Sequence, residues 1–411
     1  MFDEKKRFRR DLRVDFLRGL ALLTIFIDHI PHNRWASVTQ QNFGFSDAAE
    51  TFVALAGFSA VLAYGRYLDD PSPAEGLRRI AHRVGIIYAY HIGTLLLVAA
   101  ILLLISRAFG DTQLLELLNF ESLLSGDPAM VAGAALLVVQ PTYFDILPLY
   151  VVLLAVFPAL YMLLKRSIPL GLALSALPWA VTQFIPLNLP TLSGDGWHFN
   201  PFAWQFLMAL GMAAALKTKR RELQPSAVLI SLAVLVLVIS VILRAPWTRW
   251  PLHIGAAPVD LGPYGDLMIK GTLGPARLLH FIAFGYLLLV LLPPRASWLK
   301  AGFARTISDA GRNSLDVFCL GVLLSVVGAA FVLATGHAVI VESWVTTAGV
   351  ALLLFFGTAI AREMRARKRA REKQRRAPAA EAGHEHALSA RPASSAAALA
   401  VNETPTRSRT S

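Results

Sequence analysis

The chain has 411 residues, 55% of them hydrophobic and 16% charged, with a mean hydropathy of +0.53. A water-soluble domain carries about 25% charged residues, so this composition excludes an ordinary soluble globular protein and implies one built for a membrane. The net charge of +12 invites a nucleic-acid reading, which the placement of the charges excludes, and the single Cys319 excludes an intramolecular disulfide framework.

Taken in chain order, residues 1–13 form a basic N-tail, "KKRFRRDLR" leading straight into an apolar span. No small-residue cleavage site intervenes, so no cleavable signal peptide is expected. Runs of about 17–25 largely apolar residues are long enough to cross the hydrocarbon core as helices. Ten are predicted, at 14–32, 46–66, 80–106, 143–164, 168–187, 201–216, 226–244, 275–293, 313–334 and 340–361. The fold class expected is therefore all-α and polytopic, with one transmembrane domain over 14–361. A further apolar run, "AMVAGAALLVV" (129–139), is too short to span and ends at Gln140-Pro141, which predicts a re-entrant or interfacial piece. After the tenth span, "AREMRARKRAREKQRR" is basic and helix-prone, suited to anionic lipid headgroups. Residues 377–411, rich in Ala, Ser, Pro and Glu and free of aromatics, are expected to be disordered, which makes 362–411 a cytoplasmic tail.

Charge sets the orientation. Of the 39 Lys and Arg residues, a cytoplasmic N-terminus puts five outside (Arg34, Arg107, Arg244, Arg249, Lys270) and two within spans (Arg18, Arg277), leaving 32 inside. That asymmetry is what the positive-inside rule predicts for an N-in, C-in chain with an even number of spans. Basicity here reports topology, and no nucleic-acid partner is expected. The outer loops, including "LPTLSGDGWHFNPFAW", are rich in aromatics, Gly and Pro. Trp197, Trp247 and Trp250 read either as an aromatic belt at headgroup level or as stacking platforms for sugars.

Ionisable side chains inside a span cost about 2.5–3.5 kcal/mol each even on insertion scales, so each is a candidate for function. The eleven residues from Arg18 to His29 cover about 16 Å of helix and three turns plus about 20°, so both lie on one stripe of the first span. Arg18 points toward the cytoplasm and His29 toward the outer side, and Asp15 lies one turn before Arg18. Asp28, His29, Asp47, Glu50, Asp145, Arg277 and His280, from four spans, all fall in the outer third. Their shared depth predicts a polar chamber open to the outside. The competing reading makes Arg277 with Asp145, or His280 with Glu50, structural pairs between helices.

A histidine beside a carboxylate can serve as general base near neutral pH. Two function classes fit. In an acyltransferase, a cytoplasmic thioester donor meets an outer hydroxyl, His29 takes the hydroxyl proton, and Arg277 or His280 stabilises the oxyanion. In a proton-coupled transporter or flippase of a small anionic or sugar-linked substrate, Asp28, His29 and Glu50 form a relay; no inverted repeat of the kind many transporters show is present. The sequence carries no P-loop, metal-ligand cluster, Ser-elbow or dinucleotide fingerprint, so neither a metal nor a permanently bound cofactor is expected.

The blocks "DLRVDFLRGLALLTIFIDHIPHN", "NFGFSDAAETFVALAGFSAVLAYGR", "PTYFDILPLYVVLL", "FNPFAWQFL", "LGPARLLHFIAFGYL" and "GRNSLDVFCLG" resemble the OpgC family over about residues 10–335. That family, within the membrane acyltransferase-3 superfamily, decorates osmoregulated periplasmic glucans with succinyl groups at the bacterial inner membrane. The superfamily's Arg-ten residues-His pattern is matched by Arg18 and His29, implying a catalytic role for His29 and a donor-path or structural role for Arg18. Asp28, the carboxylate beside His29, is expected to orient or assist it. The superfamily's cytoplasmic arginine motif is most nearly matched by "RRIAHRVGIIYAY", with Arg78, Arg79 and Arg83; with Arg66 these either hold coenzyme A phosphates or serve as positive-inside anchors. The resemblance implies acyl-CoA, as succinyl-CoA, for the donor and a periplasmic glucan hydroxyl for the acceptor. Asp47, Glu50, Asp145, Arg277, His280 and Trp197, placed on the outer side by their spans and loops, are the residues expected to face the substrate. The anionic succinyl group that the resemblance implies gives Arg277 a second use, holding its distal carboxylate.

Overall fold

In the computed structural model, the described residues are 11–110, 112–218, 225–244, 262–293 and 296–389. Among them there is no strand. The helices are α1 (Leu12–Asp28), α2 (Ala48–Leu68), α3 (Ala74–Phe109), α4 (Gln113–Leu117), α5 (Glu121–Leu124), α6 (Pro128–Ala135), α7 (Ile146–Arg166), α8 (Ile168–Val181), α9 (Pro201–Thr218), α10 (Ala227–Arg244), α11 (Pro275–Leu291), α12 (Gly302–Arg312), α13 (Ser314–Ala334) and α14 (Val339–Ser389). Each of the ten predicted segments is helical over its centre. Six helices among the described residues are long and apolar enough to cross a membrane: α2, α3, α7, α10, α13 and residues 339–370 of α14. α8 and α11 are apolar but shorter. α8 stops at Val181, six residues before its predicted end, where the chain goes over into turns.

Local chemistry sets the helix ends that matter. Asp11 caps α1 by accepting the Arg13 backbone N–H at 3.0 Å. The helix stops just before Pro31, whose ring disfavours helical backbone in the residue before it. Two short 3-10 turns, Arg34–Val38 and Gln40–Asn42, lead to α2. There Asp47 and Glu50 form a reciprocal capping box, each carboxylate taking a backbone N–H of the first turn. The run at 129–139 becomes the two-turn helix α6, capped by Asp127 and ended by a turn in which Leu137 has φ 64°.

Helix α2 packs on α9, and α1 on α12. A Cβ added at Gly211 would lie 1.9 Å from the Ala54 carbonyl oxygen, and one at Gly57 would lie 2.2 Å from that of Met208. Only glycine permits this α2–α9 approach. Buried Phe26, Phe157, Trp204 and Met208 fill the space among the central helices. α12 was not predicted as a separate element, since 295–312 reads as a polar loop; it buries Ile307 and Ala310.

Residues from 360 onward form a second compact unit. Helix α14 runs on to Ser389, into the segment 377–411 for which disorder is expected. Ala, the strongest helix former, and Glu make up seven of the thirteen residues 377–389. Arg367 bonds Glu363 one turn earlier. Residues 1–10 of the N-tail and 390–411 of the C-tail lie outside the described residues.

Candidate active site

Asp28 and His29 close α1 at the wall of a cavity of about 870 Å³. The Asp28 carboxylate accepts the Thr39 hydroxyl at 2.6 Å and the Gln41 amide at 3.0 Å, both delivered by the 3-10 turns. Those bonds run to Thr39 and Gln41 rather than to His29. The His29 ring stacks instead on Tyr143, with centroids 4.1 Å apart and planes inclined by 19°. Tyr143 holds a left-handed backbone, φ 73°, a conformation a bulky residue adopts only where its surroundings enforce it. Next to it, Phe144 is buried edge-on against Phe120 and His91, and its N–H bonds the Pro141 carbonyl at 3.0 Å. The turn is thus anchored on its apolar side and presents Tyr143 to His29. Tyr143→Phe is expected to keep near-normal activity and Tyr143→Leu to lose about tenfold, since a 1 Å misplacement of a reacting group can cost more than that; initial rates of the two purified proteins make the comparison.

The capping box of α2 doubles as the centre of a charge cluster. Asp47 Oδ1 accepts the Ala49 N–H at 2.8 Å, while Oδ2 meets Lys270 Nζ at 2.8 Å and Arg277 Nη2 at 3.0 Å. Arg277 also donates through Nε to Glu50 at 2.7 Å, and Glu50 takes the Asp47 N–H at 2.8 Å. Two carboxylates face two cations. Asp47 and Lys270 line the cavity; Arg277 and Glu50 do not, and the Glu50 side chain is 0% exposed. Arg277 therefore pairs with Asp47 and Glu50 rather than with Asp145, and ties α11 to the start of α2. His280 pairs with neither carboxylate of α2: it is 3% exposed, lies off the cavity and bonds the Ser46 hydroxyl through Nδ1 at 2.7 Å. Gly44 lets it in, for a Cβ there would stand 2.1 Å from His280 Nε2.

Asp145 and Trp197 both line the cavity. Trp197 is only 5% exposed, so it presents little open ring face, and its indole N–H has no partner among the described residues. Trp247 and Trp250 lie outside the described residues. The remaining wall is amide- and hydroxyl-rich, with Gln41, Asn119, Gln140, Thr142 and Asn188. Such a lining suits a neutral, polyhydroxylated ligand, which needs many donors and acceptors and no net charge.

The family model described as OpgC protein matches residues 10–365, most of the chain. The chain belongs to the OpgC family. No curated protein and no solved structure shows a significant match. OpgC membership and the apolar helices together make this a membrane protein of a glucan-modifying family and imply a transferase acting on glucan.

In this OpgC protein the arginines stand apart from the cavity. Arg18 reaches from α1 to α2, donating to the Leu55 carbonyl at 3.1 Å and the Ser59 hydroxyl at 2.5 Å. Arg66 and Arg79 lie over the Tyr67 ring, at 4.5 and 4.3 Å from its centroid, and Arg66 bonds the Tyr67 hydroxyl. Arg78 and Arg79 both pair with exposed Glu75, at 2.5 and 2.6 Å, and Arg83 is half-buried one turn further along α3. Since α2 runs 21 residues from the cavity, Arg66 lies about 30 Å from Asp47. The cavity, Arg18 and the Tyr67 arginines thus occupy one end, the middle and the other end of α2.

Lys270, Tyr143 and Gln41 are the site residues that sequence reasoning missed. Lys270 entered only as an outside charge in the topology count. Nothing in the pattern marks Tyr143 or Gln41.

Proposed function

We propose that this OpgC protein is an inner-membrane O-acyltransferase that moves an acyl group from cytoplasmic acyl-CoA to a hydroxyl of periplasmic glucan. The acyl group is succinyl, which rests on the family resemblance. Ten spans with both termini inside are part of the proposal, supported by the charge asymmetry and by a helix at the centre of each predicted segment. The single observation that carries the reading is His29, ring-stacked at the wall of a large polar cavity on the same helix as Arg18.

The chemistry follows from that geometry. A glucan hydroxyl in the cavity gives its proton to His29 as its oxygen attacks the thioester carbonyl; the carbon–sulfur bond breaks, and the thiolate takes the proton back from His29. Asp28, fixed by Thr39 and Gln41, supplies negative charge near the imidazolium through space. Asp47, Asp145 and Trp197 face the acceptor. Arg277, Glu50 and His280 act behind the wall, keeping α2 and α11 in place. At the far end of α2, Arg66, Arg79 and Arg83 would meet coenzyme A phosphates, with Arg18 between them and the cavity.

Mass spectrometry of periplasmic glucan from a deletion strain tests the reading. Loss of an adduct of succinyl mass, restored by the wild-type chain, is the expected result. Unmodified mass spectra in both strains, with substrate accumulating in vesicles instead, would overturn it.

A further inference from the structure

Among the described residues, one Lys or Arg lines the cavity, and it is Lys270. Its backbone is clamped. The Lys270 carbonyl accepts the indole N–H of fully buried Trp204 at 3.1 Å and the Leu273 N–H at 3.1 Å, while the next carbonyl, of Gly271, accepts the same indole at 3.0 Å and the Asn200 N–H at 3.1 Å. Its ammonium is held at 2.8 Å from Asp47 and 5.3 Å from the centre of the Phe199 ring. An ammonium has three N–H donors, and Asp47 takes one. The other two have no hydrogen-bond partner among the described residues and can meet a ligand.

The other cation of the cluster cannot. Arg277 is divided between Asp47 and Glu50 with its side chain 11% exposed, whereas the Lys270 side chain keeps 35%. Nor does Asp47 depend on Lys270, since Arg277 and the Ala49 N–H hold it as well. Burial works against the Lys270 charge, but Asp47 and Glu50 outweigh it and keep its pKa above the ordinary lysine value. A fixed ammonium with free donors at a cavity wall is an arrangement that stabilises charge developing on an oxygen.

We propose that Lys270 is the donor that stabilises the oxyanion formed when the acyl carbonyl is attacked in this cavity, an inference that rests on the acyltransfer reading. As the glucan oxygen bonds to the carbonyl carbon, the carbonyl π electrons move onto its oxygen, which takes an N–H of Lys270; the hydroxyl proton goes to His29. Collapse re-forms the carbonyl, breaks the carbon–sulfur bond and returns the proton to the thiolate, with the Lys270 ammonium unchanged. The alternative, Lys270 as anchor for the distal carboxylate of a succinyl group, sets a further permanent anion in a cavity that Asp28, Asp47, Asp145 and Asp195 already line. An oxyanion exists only in passing.

The full chain in detergent, with radiolabelled succinyl-CoA and glucan from a deletion strain, tests this. Lys270→Met is expected to lower kcat by about 10²–10³, as loss of one oxyanion donor does, with KM for both substrates unchanged. Lys270→Arg is expected to recover part of kcat, and both variants to keep the wild-type melting midpoint. A Lys270→Met protein with normal kcat overturns the inference. So does one with normal kcat, raised KM for succinyl-CoA and improved use of acetyl-CoA, which identifies a carboxylate anchor. A fall in kcat that Lys270→Arg does not relieve and that tracks a lower melting midpoint also overturns it, in favour of a structural role. A wild type that transfers no label defeats the acyltransfer reading itself.

Discussion

A His29→Gln protein is expected to insert and accumulate like wild type and to leave periplasmic glucan without acyl groups. Loss of a positioned general base lowers rates by about 10²–10⁴-fold, which in a cell reads as absence of the adduct. Glutamine keeps a planar polar group against Tyr143 and so separates proton transfer from packing. Asp28→Asn makes the companion test. Its Oδ1 still accepts from Thr39 and Gln41, so the wall stays intact while the charge goes. A partial loss is expected there, because Asp28 touches those two residues and acts on His29 only through space. Acyl content equal to wild type in His29→Gln would remove His29 from the chemistry.

How much of this site was legible in the sequence divides by the kind of information required. Helical periodicity yields depth and face, and depth is what brought Asp28, His29, Asp47 and Asp145 together: all four line one cavity. Periodicity does not say which helix packs on which. Arg277 was therefore offered Asp145 as a partner, and it took the two carboxylates of α2; His280 was offered Glu50, and it took Ser46. The Asp-x-x-Glu spacing at 47–50 was readable in a second way, since an acceptor followed three residues later by Glu ahead of an apolar run is a helix-start signature. Read so, Glu50 belongs to the scaffold. Lys270 and Tyr143 were out of reach for different reasons. One sits in an irregular loop, where spacing carries no direction. The other depends on a backbone conformation that no residue type at 143 advertises.

The same cluster gives the second large effect, on stability. Arg277→Met leaves Glu50, fully buried, without its guanidinium, while Asp47 keeps Lys270. Removing one partner of a buried ion pair costs about 3–5 kcal/mol, because the charge left behind stays buried without water. That is a large share of the total stability of a typical protein, so poor yield and a clearly lowered melting midpoint in detergent are expected. Adding Glu50→Gln should restore much of the loss. The glutamine carbonyl can still accept the Asp47 N–H that Glu50 accepts now, keeping the cap of α2, while the unpaired charge is gone. The substrate-facing role for Arg277 makes the opposite forecast: Arg277→Met would melt like wild type, show a raised KM for the acyl donor, and gain nothing from Glu50→Gln. Melting curves of the two variants beside wild type, with KM measured on whichever survive, decide between a residue that builds the cavity wall and one that reaches through it.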